Sequence, residues 1–445
     1  MRKITLLCLT VLCLLCFALA ACQKELIQGT STGERTDGEG KGVNTTFTAR
    51  DYNRDEESVR KTELGYYYYS YNQGGFRYMD EATGREMYLC NKPECKHDGN
   101  AFCVATNDKY MIFSWVLYDN RIVANVIEET DTQYLYKLLE IAADGSMANE
   151  LVTYYTIEKA GEIEVFLHGT GGIFIHRNKV MLPMVTGAAD GLEDTRCYGC
   201  AIVDLNTKEV VYLDEEPLSK DNAEVTNVNA CGDYLYYCRK EGKKIILHRY
   251  NINDGTDEAH KLVVGFRGRY TLPDEEHVVY LKSSGRELYV YTYATGENEE
   301  VLKFMGKRMS YAFDGSLFET EAPYTAEGLQ TDGEYYYVAE ETYGHIDGKN
   351  PVTGEAEEDQ YFARVYVYNR TFELITVVNL ADIRGTLLPG GEKNAWSAFA
   401  ELSFLGDKIY WTIYEGMDDR HMFSCDRSDF LAGTPEFRTE YRIEE

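Results

Sequence analysis

The sequence predicts an all-β protein, a β-propeller of seven blades with six or eight as the neighbouring solutions. Three observations lead there: short aromatic and β-branched runs bounded by turn residues, a loose repeat of two half-motifs along the chain, and few amphipathic stretches of helical length. Tyrosine carries the first signal. The 445 residues include 37 tyrosines, and aromatic side chains suit a pleated surface covered on one face by a neighbour.

The first half-motif is a tight turn followed by an aromatic strand, as in Leu64-Gly65-Tyr66-Tyr67, Cys231-Gly232-Asp233-Tyr234, Asp332-Gly333-Glu334-Tyr335 and Leu405-Gly406-Asp407-Lys408. The second is a strand, a turn of Asp, Asn, Thr or Gly, and another strand. Residues 76–85, 135–145, 247–256 and 288–297 are full copies, while 202–209 and 365–371 are weaker ones. Glycine supplies positive φ in such hairpins, and Asn or Asp tolerates it. Two half-motifs make about four strands, one blade, and anchors near Tyr67, Tyr110, Ile173, Tyr234, Val279, Tyr335 and Ile409 mark the units. A lone four-stranded sheet exposes both faces; stacking blades around an axis covers them. Two stacked β-sandwich domains are the alternative architecture. Only residues 381–387 and 428–431 suggest a helical turn, and no blade carries a Trp-Asp dipeptide, a kelch doublet or a sialidase-type Asp box.

Three segments divide the chain. Arg2 and Lys3 precede an apolar run over residues 4–19, too short for a comfortable membrane span, and Leu19-Ala20-Ala21-Cys22 follows. This resembles the signal peptide and lipobox of bacterial lipoproteins, in which the cysteine thiol takes a diacylglyceryl group and becomes the mature N-terminus. The resemblance implies a signal peptide over 1–21, lipidation at Cys22, and a protein held on the cell membrane facing outside the cytoplasm. Residues 22–50 are rich in Gly, Ser, Thr, Glu and Lys and read as a flexible tether. Residues 51–445 are the propeller. Loss of Arg2 and Lys3 takes the net charge from −29 to −31. So acidic a surface repels phosphate backbones, which excludes nucleic acid as a partner and leaves the lipid as the route to the membrane.

The sharpest local signal is Cys90, Cys95, His97 and Cys103, with Pro93 and Gly99 to bend the segment. Three thiolates and an imidazole form the donor set of a closed structural Zn²⁺ site. Export favours oxidised thiols, so a disulfide arrangement is the other reading. With the lipobox, the Tyr-Tyr strands and the Thr-Gly hairpins, this segment resembles envelope lipoproteins with a TolB-like propeller, a resemblance that implies the fold but no enzymatic residues.

The other cysteines point to packing. Cys197 and Cys200 have redox-motif spacing but no helix to lower a thiol pKa, so core packing or a hairpin disulfide is expected. Cys231 and Cys238 are expected on opposite sides of one strand, and Cys425 as a core thiol or a partner to one of these. His168, His176, His248, His260, His277, His345 and His421 lack ligand spacing, and residues 251–257 read as an ordinary hairpin rather than a Ca²⁺ loop. Residues 51–445 carry no Gly-x-Ser-x-Gly motif, the match at Gly29-Thr30-Ser31-Thr32-Gly33 falling in the tether, and the chain has no His-Glu-x-x-His or P-loop motif. Two function classes follow: a non-enzymatic propeller that binds a protein, peptide or glycan through loops at one end, and an envelope glycoside hydrolase or lyase with carboxylates converging on the channel.

Overall fold

The computed structural model describes residues 60–443 apart from 62–64, 71–74, 100–102, 107, 120, 160–165, 168–171, 188–195, 264, 305–306, 312–316, 322–325, 327, 345–359, 381–382, 384–386, 388–401 and 416–418. These residues form a seven-bladed β-propeller. Each blade is an antiparallel meander in chain order, and the blades occupy residues 60–88, 110–158, 166–212, 224–260, 266–303, 328–379 and 402–443. Blade 3 gains a short flanking strand, Phe166–Leu167, and a hairpin of Lys307–Tyr311 with Leu317–Glu321 stands between blades 5 and 6.

The first strands of neighbouring blades touch one another from blade 2 to blade 6, so the chain enters each blade at the axis and leaves it at the rim. Strand alternation then decides which neighbour each side chain meets. In blade 4, Leu235 and Tyr237 pack against blade 3, whereas Tyr236 and Cys238 pack against blade 5. In blade 5, Val278 and Tyr280 turn to blade 4, and Val279 and Leu281 turn to blade 6. Blade 6 repeats the rule, with Tyr336 and Val338 on one side and Tyr337 and Ala339 on the other. Seven apolar clusters result, one for each joint of the ring.

The joint between blades 7 and 1 has the smallest cluster among the described residues: Tyr66, Tyr68, Tyr410 and Met422. Among the described residues, every strand of blade 1 comes from the start of the ring and every strand of blade 7 from its end. Side chains join the two blades. Tyr66 Oη donates to Glu440 Oε2 at 2.9 Å, Ser424 Oγ donates to Glu440 Oε1, and Lys408 Nζ lies 3.5 Å from Glu440.

The seven expected anchors fall in seven different blades. Five of them lie on second strands, but Tyr110 opens the first strand of its blade and Ile173 sits just before one. The outer hairpins share one geometry. In blades 1, 3 and 6, Thr83, Thr207 and Thr371 donate to the side chains of Asp80, Asp204 and Asn369. The left-handed position of the turn is glycine in blades 1, 2, 4 and 5, but Lys208 (φ 64) in blade 3 and Phe372 (φ 62) in blade 6. Those two copies look weaker in the sequence because the glycine is missing, although the backbone is the same; Phe372 is held by stacking on Tyr336 at 5.0 Å. A short helix, Arg427–Leu431, stands where 428–431 suggested one. Of 381–387, Ile383 and Leu387 are helical and the rest lies outside the described residues.

Joint burial sets the stability of the ring. Trp115 is 1% exposed and meets Phe76 of blade 1 edge-on at 5.5 Å. Trp115→Ala is expected to cost about 3–5 kcal/mol in denaturant unfolding.

Candidate metal centre

Blade 1 ends in a three-residue outer strand, Glu86–Tyr88, which leaves the rim between blades 1 and 2 without a full fourth strand. The described residues of the segment that follows, 89–99 and 103–106, fill that space. Leu89 N donates to Phe76 O (2.9 Å) and Phe76 N to Ala105 O (3.0 Å), tying both ends of the segment to blade 1. Asn91 N donates to Gly145 O of blade 2 at 3.2 Å. Leu89, Cys103, Val104 and Ala105 enter the apolar cluster of the same joint.

Within this frame the segment folds back on itself. Cys95 N donates to Lys92 O at 3.1 Å across the Pro93 turn, His97 takes a left-handed conformation (φ 53), and Gly99 N donates to Thr106 Oγ1 at 3.2 Å. These bends bring together Cys90, Cys95, His97 and Cys103, one ligand atom from each lying within 4.8 Å of the others. Cys103 is buried and the other three are half-buried. Such a group could hold a metal ion.

The surroundings prepare the sulfurs for negative charge. Thr106 N donates to Cys103 Sγ at 3.3 Å, and His97 Nδ1 stands 3.4 Å from the same sulfur. Burial opposes ionisation of Cys90, but N–H donors of Val104 and Lys92 and the neighbouring thiols outweigh it, so its pKa lies below the ordinary thiol value. Cys95 receives the His97 N–H, yet burial and the two adjacent sulfurs hold its pKa above that value. Three sulfurs this close repel once ionised, and a shared cation removes the repulsion. The imidazole is oriented by stacking on Tyr88 (4.6 Å between rings, 27°), whose ring also carries Arg77 at 3.6 Å. Sequence reasoning found the four clustered residues but not Tyr88, Arg77 or the N–H donors, because their roles depend on how the loop doubles back.

All eight described cysteines are free. Cys197 and Cys200 lie within a strand, Cys200 in the core and Cys197 half-exposed. The expectation for Cys231 and Cys238 is corrected: both belong to the cluster between blades 4 and 5. Cys231 ends one strand and pairs with Tyr234 of the next, so the two-residue turn between them resets the alternation. Cys425 is a core thiol between blades 6 and 7.

The other described histidines make structural contacts, two of them, His176 and His260, across blades. His176 Nε2 bonds Gly232 O at 2.7 Å across blades 3 and 4; His248 stacks on Tyr237 and reaches Asp257 at 3.0 Å; His277 reaches Asp274 at 2.8 Å. His421 is buried in blade 7, and His260 pairs with Tyr291 at 3.2 Å. His168, His345, Cys22 and the acidic run 355–359 lie outside the described residues. Residues 251–257 form a hairpin, with Gly255 N donating to Asn251 O and Asn251 N to Thr256 O.

No family model matches this chain, and no curated protein does. Similar solved structures include an oligogalacturonate lyase from Vibrio parahaemolyticus, at 11% identity over 62% of this chain and 71% of that one, with a TM-score of 0.38. TolB from Acinetobacter baumannii matches at 10% identity over 87% and 79%, TM-score 0.35. The β-propeller domain of the Trilobed protease from Pyrococcus furiosus matches at 11% identity over 76% and 99%, TM-score 0.31. At these identities and scores the likeness carries no statement about activity.

Burial pushes the thiols of Cys231 and Cys425 up to about 12, and those of Cys200 and Cys238 higher still. These four are expected to resist alkylation in the folded protein near neutral pH, while Cys197 reacts; mass spectrometry of modified peptides checks this. Above the ordinary thiol pKa the folded state keeps protons that the unfolded state has released, so stability is expected to fall as pH rises from about 9 towards about 12. Urea titrations across that window measure the slope.

Proposed function

We propose that this protein is a lipid-anchored binding propeller of the cell envelope, with a Zn²⁺ ion bracing its first joint. The observation that carries the binding role is an asymmetry of connections. In an antiparallel meander the first and third turns of each blade lie at one end of the ring, while second turns and blade-to-blade connections lie at the other. At the first end the turns run two to five residues, apart from 427–437. At the second end some connections, such as 242–243 and 261–265, are as short, but the longest separations in sequence between described strands also fall there, among them 89–109 and 213–223. Long connections on a rigid scaffold are where binding residues concentrate. The partner is a protein, peptide or glycan that meets this face.

The anchor follows from Cys22 and the apolar run before it. Cys22→Ala is expected to shift the protein from the membrane to the aqueous phase in detergent partitioning, and to abolish incorporation of labelled palmitate. Retention of the label would overturn the lipid assignment.

Zinc suits the donor set: three sulfurs and one imidazole complete a tetrahedron, with backbone N–H groups against each of the three sulfurs. Natively purified protein is expected to hold one zinc per chain by elemental analysis, with Cys103→Ser losing it and melting at lower temperature. Protein free of metal whose Cys90, Cys95 and Cys103 lie in disulfides would decide for the other arrangement.

The binding role itself is tested by capture from envelope extracts and on glycan arrays. Replacing 213–223 by a short turn is expected to weaken binding, whereas shortening the opposite-end turn 205–209 leaves it unchanged. Release of cleaved glycan during such assays would favour the hydrolase or lyase.

A further inference from the structure

Three sulfurs in one site are an odd number, so any disulfide formed within it leaves one thiol over. The four groups also differ in how they are held. One atom from each of Cys90, Cys95, His97 and Cys103 lies within 4.8 Å of the others, yet Cys103 is buried and the rest are half-buried. The Cys103 sulfur accepts from Thr106 N at 3.3 Å, and Ala105 O ties the following backbone to Phe76 N of blade 1 at 3.0 Å. Cys90 lies between two anchored amides, Leu89 N on Phe76 O and Asn91 N on Gly145 O. Cys95 is different. Its own amide bonds Lys92 O at 3.1 Å, inside the same segment, so it rides on a turn rather than on a blade.

These differences decide which sulfurs can join. Cys90 and Cys95 are five residues apart across the Pro93 turn, and both are half-buried. Their disulfide would leave Cys103 as a buried thiol that keeps its Thr106 N–H and its place beside Leu89, Val104 and Ala105. A disulfide to Cys103 would instead require the best-held sulfur to leave its donor. Among the described residues no second group of three ligand side chains converges in this way. Of the other five described cysteines four are buried, so apart from Cys197 an oxidant from solvent meets this group first.

We propose that the quartet is an oxidant-operated latch: peroxide joins Cys90 to Cys95, the Zn²⁺ leaves, and the segment that carried it loosens from the joint between blades 1 and 2. This rests on the zinc reading and adds its regulation. The Cys95 thiolate attacks one peroxide oxygen and the O–O bond breaks, which leaves a sulfenic acid and a hydroxide. The Cys90 thiolate then attacks that sulfur, the S–S bond forms, and a second hydroxide departs. Two sulfurs have lost two electrons and the peroxide has gained them; with two protons from solvent the oxygens leave as two waters. Zn²⁺ then keeps only Cys103 and His97, two of the four groups a closed site needs. The metal and the disulfide are thus successive states of one site.

Hydrogen peroxide added to the full, natively purified chain tests this, with a chromogenic chelator counting released zinc and trypsin reading the segment. One zinc per chain is expected to be released, with Cys90 and Cys95 in one disulfide-linked peptide by mass spectrometry and Cys103 still open to alkylation after unfolding. The segment has two lysines, Lys92 and Lys96, both exposed, and Lys92 precedes Pro93, a bond trypsin does not cut. Cleavage after Lys96 is therefore expected in the oxidised protein alone, since a loosened loop is the better protease substrate. Cys90 and Cys95 both precede that bond, so the fragments are expected to part on a denaturing gel without reductant. Fragments that stay joined until reduced would place Cys103 in the disulfide and overturn the pairing. Dithiothreitol followed by Zn²⁺ is expected to restore resistance to trypsin. Cys197→Ser is expected to release zinc at the same rate; slower release would route the oxidation through Cys197 and overturn the latch. Zinc retained with all thiols intact, or zinc lost to sulfinic acid without a disulfide, overturns it too and leaves the zinc reading standing. Protein that holds no zinc before peroxide is added overturns both.

Discussion

Each blade has two apolar faces and nothing but its neighbours to cover them. That constraint organises the whole molecule. Period-2 alternation sends successive side chains to opposite joints, so a run such as Tyr66-Tyr67-Tyr68 supplies blade 7 with its first and third rings and blade 2 with its second. Aromatic residues suit the task because a space between radiating sheets widens outward, and large rigid side chains fill it at little entropic cost. Burying each such side chain is worth about 1.5–3 kcal/mol. The ring is stable only as a ring, since a blade removed from it would expose both faces at once.

The same geometry explains where the cysteine cluster sits. Where a blade has a full outer strand, the rim is closed by backbone pairing. Blade 1 has only Glu86–Tyr88 there, and residues 89–106 stand in for the missing length. A folded loop cannot pair as a strand does, so it is fixed by its contacts to Phe76 and Gly145, and it brings together four side chains that could hold a metal ion. The metal reading and the fold reading thus concern one problem, the bracing of a joint that the sheet leaves short.

Blade architecture was legible because it follows from local signals. Tyrosine runs, Asx-type hairpins and glycine turns repeat closely enough to count seven units before any coordinates are known. Pairing phase was less legible. Ile173 and Tyr110 were placed in the right blades but not on the second strand, because strand length varies and a bulge shifts it. Cys231 and Cys238 show the same limit: counting residues along one strand predicts opposite faces, and a turn hidden in Gly232-Asp233 reverses the answer. The ligand quartet was visible from spacing, since its members are close in sequence. The contact of Tyr270 with Asn227 was not, because the two are 43 residues apart and meet only where two adjacent bulges coincide.

The closure between blades 7 and 1 also bears on how the molecule is made. Among the described residues no early strand must wait for a late one to complete its sheet, so each of these blades can finish as soon as its own strands are available. Each new blade then docks on the one before it, in the order of synthesis or export. The last event is the meeting of two completed sheets through Tyr66, Tyr410 and Glu440. For the described strands, sheet order follows chain order from one end of the ring to the other.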